Sequence, residues 1–164
     1  MSELSLGQIK GLPVNSNVVT VPAGHKLYAP GHVLQVVSSS YQTLTSTTST
    51  AFQPSGLSVT ITPSNAASKV FIIATTGAYI VANDANYLTL FRDTTNLGNG
   101  TNGIAQIFAG NQPNADTATL TDLDSPNTTS AVTYTLRFRS GFGGSAQVQY
   151  SSALASITVM EIAA

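Results

Sequence analysis

From Val132 to Arg139 the chain alternates without a fault. Val132, Tyr134, Leu136 and Phe138 fall on one parity, and Thr133, Thr135, Arg137 and Arg139 on the other. In an extended strand successive side chains point to opposite sides, so this run buries one face and leaves the other outside. Leu57, Val59 and Ile61 alternate in the same way with Ser58, Thr60 and Thr62. Residues 33–37, a Thr/Ser-rich stretch over 44–52, and residues 69–81, 87–92, 104–108, 117–123, 146–150 and 157–162 read as further strands. Within 69–81, Val70 to Ala74 is apolar on both parities, the pattern of a central strand. Turn formers separate the runs: Pro54-Ser55-Gly56, Pro63-Ser64-Asn65, Asn83-Asp84, residues 96–103 and 110–114, Ser125-Pro126-Asn127, and Gly141 to Gly144. No window holds an apolar period of 3.6 for three turns. The chain from residue 31 to 164 is therefore expected to be all-β, a jelly-roll-like β-sandwich of about nine to ten short antiparallel strands with almost no helix.

Residues 1–30 do not share this pattern. Leu4, Leu6, Ile9, Leu12 and Val14 are spaced among Gly, Pro and Asn, and the segment is too short to bury its own leucines. It reads as an extended N-terminal arm that packs on something else, with those five side chains as its attachment points.

Composition narrows the function. Charged residues make up 8% of the chain, against about 25% in ordinary globular proteins. Polarity comes instead from 19 Ser, 22 Thr and 11 Asn, neutral groups. The 42% hydrophobic content argues against disorder. Six basic residues and a net charge of −1 argue against phosphate neutralisation, hence against nucleic acid. A near-neutral surface favours association, which suits a subunit covered by its neighbours. The absence of Cys excludes disulfides, a thiolate nucleophile and a Cys-type zinc site. No stretch reaches the 18 or so apolar residues of a membrane span. The N-terminus has no basic region followed by an apolar core, so it is not read as a signal peptide, and folding where the chain is made is expected.

Several residues qualify as chemical candidates. Asp122 and Asp124 share a strand face and could serve acid/base work or Ca²⁺, but the following Ser125-Pro126-Asn127 marks a turn that an Asp ordinarily caps. His25 and His32 flank Pro30-Gly31. One chain lacks a third ligand, while three chains on an axis would supply one. Arg137 and Arg139, on the outer parity of their strand, read either as a solvated face or as intersubunit charges. The Gly-rich loops 98–103 and 141–144 precede no helix and no Lys-Ser/Thr pair, so they read as hairpin turns rather than phosphate cradles. Phe142 at a loop tip could stack on a sugar. No order of Ser, His and Asp fits a hydrolase, and no catalytic, metal or cofactor role is expected.

The stretch Gly31-His32-Val33-Leu34-Gln35-Val36-Val37, the Thr/Ser run ending at Phe52, Leu57 to Pro63 followed by Ser68-Lys69-Val70, Asp124-Ser125-Pro126 with residues 128–139, and the closing Ile157-Thr158-Val159-Met160-Glu161-Ile162 resemble small all-β structural proteins of tailed bacteriophages, particularly phages of cyanobacteria and marine bacteria. Residues 17–30, with Val-Pro-Ala-Gly-His-Lys-Leu, look like their lead-in. The resemblance implies a capsid decoration (cement) protein, a head fibre or a tail fibre, and a homotrimer. The expectation is a non-enzymatic virion protein made in the host cytoplasm. It would be a trimeric decoration protein whose arm lies on the major capsid protein or another virion protein, with no nucleic-acid or membrane partner. A short chain with a short arm leaves no room for a long shaft, which favours decoration over the alternative, a head or tail fibre docking by its arm and meeting a host-surface glycan. A carbohydrate-binding β-sandwich is a third reading.

Overall fold

Alternating runs of this kind are stable only when paired, and the computed structural model shows the pairing. It describes residues 29–164; the arm residues Leu4, Leu6, Ile9, Leu12 and Val14, and His25, lie outside the described residues. Eleven strands follow in order: β1 (Val33–Tyr41), β2 (Thr45–Thr47), β3 (Gln53–Ile61), β4 (Lys69–Ile80), β5 (Ala85–Arg92), β6 (Thr95–Asn96), β7 (Ala105–Phe108), β8 (Asn114–Asp124), β9 (Val132–Ser140), β10 (Ala146–Val148) and β11 (Ala155–Ile162). Among the described residues the helical content is one 3₁₀ turn, Tyr150–Ser152.

Two antiparallel sheets result. In the first, β4 is central, with β8 along one edge and β11 and β10 in line along the other; β1 then pairs with β11 and β2 with β10. In the second, β9 lies between β3 and β5, and β7 and β6 share the far edge of β5. The pairs β5/β7, β4/β8, β3/β9 and β1/β11 are nested in sequence and fall alternately in the two sheets. One long antiparallel ribbon has been wrapped around a core, which is the jelly roll the turn spacing predicts.

The inward parity of each strand fills the space between the sheets. Leu57 and Val59 of β3, Ile72 of β4, Leu88 of β5, Leu136 of β9 and Ile157 of β11 are all buried. Burying such a side chain contributes about 1.5–3 kcal/mol, so the alternation itself drives the sheets together.

Three sequence readings need correction. Of the expected strand over 44–52, only β2 is a strand; residues 48–52 cross from the first sheet to the second. Pro54-Ser55-Gly56 is not a turn but an irregularity inside β3, where the register with β9 shifts between Pro54 and Ser58. There Gly56 has φ +86°, and a Cβ on it would stand 2.5 Å from the Tyr41 ring. Val70 to Ala74 is central but not buried on both sides. Val70, Ile72 and Ala74 face the core, while Phe71 and Ile73 are half-buried on the outside.

Candidate functional site

The sandwich has two poles. At one, Gly31 N–H donates to the Ala163 carbonyl at 2.8 Å and Ala163 N–H to the His32 carbonyl, so the described chain begins beside its own last strand. His32 is exposed there. At the same pole Glu161, wholly buried on the inner face of β11, accepts from the Ser64 N–H and hydroxyl, each at 2.8 Å, and from Gln35 Nε2 at 2.7 Å. Burial pushes its carboxyl up, and the bonds from Gln35, Ser68 and Ser64 outweigh that and hold it below its ordinary value. The carboxylate thus pins the β3–β4 loop to β1 and β11.

Asp124 is at this pole too. The structure places it on the inner side of β8, with Asp122 half-buried on the same face. Asp124 accepts from Arg92 Nη1 at 2.7 and 2.8 Å and from the Tyr134 hydroxyl at 2.7 Å, both in the opposite sheet. Burial, and then the bond to Asp124, raise the Tyr134 phenol well above its ordinary range. Asp124 therefore ties the two sheets together rather than capping its own turn.

At the other pole Asp84, 2% exposed, follows the β4–β5 turn. Its two oxygens accept from the Ser140 hydroxyl at 2.7 Å and from the N–H groups of Ala85, Phe142 and Gly144 at 2.6, 2.8 and 2.6 Å. Burial acts to raise its pKa, and these four bonds more than reverse it. Four donors on one carboxylate fix the 141–144 loop and hold Phe142, 73% exposed, at its tip. Phe108, also exposed, closes β7 at this pole. Sequence reasoning saw a turn at Asn83-Asp84 but not this clamp. Three of its four donors lie 56 to 60 residues away, and no local pattern announces them.

Arg137 and Arg139 lie on the outer face of the second sheet. The Arg137 guanidinium sits 4.1 Å from the Phe91 ring centre, and Arg139 lies 4.4 Å from Tyr87 and 5.5 Å from Phe52. Arg139 is 8% exposed and donates to the carbonyls of Thr101, Thr50 and Ser140, which close loops 98–103 and 48–52 over it. Gly103 permits the first closure, with φ +67° and the Leu88 carbonyl where a Cβ would be. Neither arginine meets a carboxylate among the described residues; the ion pair there is Arg92 with Asp124. Cation–π and carbonyl contacts thus occupy charges that the sequence offers to solvent or a neighbour.

No group of three or more His, Asp or Glu side chains placed to hold a metal ion, and no pocket, occurs among the described residues. The chain matches no family model, and no curated protein is detectably similar to it.

Proposed function

We propose that this chain is a structural subunit of a tailed-bacteriophage particle, a trimeric decoration protein bound to the outside of the head and reinforcing it. The observation that supports this best is the placement of the ionisable groups. Asp84, Asp124, Glu161, Arg92 and Arg139 are all engaged in bonds that hold loops and sheets. What the sandwich turns outward is largely hydroxyl and apolar, with Val36, Leu123, Phe108, Phe142 and Leu154 more than half exposed. That is a surface for permanent neighbours rather than for solvent or turnover. The mechanism is mechanical: subunits bury apolar surface on each other and on the shell.

Quantitative protein staining of purified particles tests the reading. A copy number comparable with that of the shell protein is expected; absence from the particle overturns it. A few copies per particle would favour the fibre reading instead. One observation speaks for that alternative: the arm joins at one pole, and the clamped Phe142 loop stands at the other, where a host-surface glycan would be met.

A further inference from the structure

The outer face of the first sheet carries an apolar row that runs across all four of its strand positions. Val36 of β1 pairs with Met160 of β11, Met160 with Phe71 of β4, and Phe71 with Leu123 of β8. Val36 is 57% and Leu123 52% exposed. Ile162 and Ile73 flank the row on the same face. Beyond Ile73 the face continues in hydroxyls: Ser38 bonds Thr158 and Thr75 bonds Thr119 across the strands. Of the charged side chains among the described residues, Lys69 alone belongs to this face, at its margin. The outer face of the second sheet differs, since loops 48–52 and 98–103 fold over its arginines. On the first sheet the turn 150–153 covers only the far end of this face, where Tyr150 stacks on Tyr79 and Ala153 stands over Gly77, and nothing in the described chain covers the face from Lys69 to Thr75.

We infer that a second copy of this chain covers it, so that the outer face of the first sheet is the subunit interface. This rests on the reading of the protein as a homo-oligomeric subunit and names the surface that the assembly uses. Two observations choose the occupant. Four strand positions about 4.8 Å apart, along the open stretch of β4 from Lys69 to Thr75 at about 3.3 Å per residue, give a face of roughly 19 by 23 Å. That is about 440 Å² in projection, above the ~400 Å² per partner below which contacts are mostly adventitious. Apart from Lys69 at its margin, the face also offers no charge to match. A partner of ordinary composition would bring charged groups into an uncharged contact, whereas this chain, 8% charged with most of those groups engaged, can present a neutral surface to itself.

The test uses the full chain. Val36→Glu with Leu123→Glu places two carboxylates on side chains already exposed in the single subunit, so its fold should be retained by circular dichroism. Thr60→Glu, on the outer face of the second sheet, is the control. Light scattering at micromolar concentration should give an oligomer for the wild type and for Thr60→Glu, and the mass of one chain for the double variant. A wild type that is already monomeric defeats the homo-oligomer reading and this inference with it. A double variant that stays oligomeric defeats the inference alone. Because the chain has no cysteine, Thr121→Cys on this face can be read against Thr60→Cys by maleimide labelling. Labelling at least tenfold slower at position 121 in the oligomer is expected, and equal rates overturn the proposal. Protection at 121 in a chain that scatters as a monomer would assign the cover to residues 1–28 and overturn it too.

Discussion

A buried carboxylate is costly unless its lone pairs are filled, and Asp84 and Glu161 show how far filling can go. Each has a folded pKa below its ordinary value, 3.8 for Asp84 and 4.5 for Glu161. The unfolded chain therefore binds these protons first as the pH drops. Their contribution is whole above the ordinary values and is lost as pH falls through the lower folded ones. Urea midpoints should be flat above about pH 5 and decline below it, and Asp84→Asn should make that acid limb shallower. At pH 7 the same substitution should cost about 3 kcal/mol, because a donor replaces an acceptor facing buried N–H groups. An unchanged midpoint would mean the clamp on residues 141–144 contributes nothing. Arg139 shows what parity alone misses. Alternation puts it outside, which is correct for the backbone, but carbonyls at Thr50 and Thr101 fold over it from distant sequence.

Strands are legible because each carries its own period; what joins them is not. β9 and the second half of β3 stand in the structure where alternation predicts them. β8 runs longer than its apolar residues suggest, since pairing with β4 from Val70 to Ile80 extends it back to Asn114. Pro54-Ser55-Gly56 has turn chemistry, and its glycine does take a positive φ, but within a strand. Composition reports the backbone angle and not the path. Gly56→Ala separates these roles. At φ +86° with the Tyr41 ring in the way, an added methyl should lower stability by about 1–3 kcal/mol. The denaturant midpoint measures this, and a neutral result would show that the irregularity relaxes at no cost. The apolar second parity of Phe71 and Ile73 was legible as well, yet its meaning was not. Sequence shows that both sides of β4 avoid water, and only pairing shows that one of them lies on the outside.

For the whole molecule, the strands of residues 29–164 close two sheets around one buried core, and that core is expected to fold without the arm. Deleting residues 1–16 should leave far-UV circular dichroism and the melting temperature essentially unchanged while attachment to particles is lost. Full occupancy by the truncated chain would show that Leu4, Leu6, Ile9, Leu12 and Val14 are not the attachment device; failure to fold would place the arm in the core. The ribbon also sets an order in time. Its innermost pairs, β5 with β6 and with β7, close over short spans, whereas β1 and β11 join residues as far apart as Val33 and Ile162. Loop closure must be met before distant contacts reward it, so the inner pairs zip first. During synthesis β1 is the earliest of the described strands to leave the ribosome and the last to be given its partner. Throughout that interval its edge and Val36 stand open to every other nascent copy on the same message, and crowding by sister chains is a hazard written into the winding of the fold.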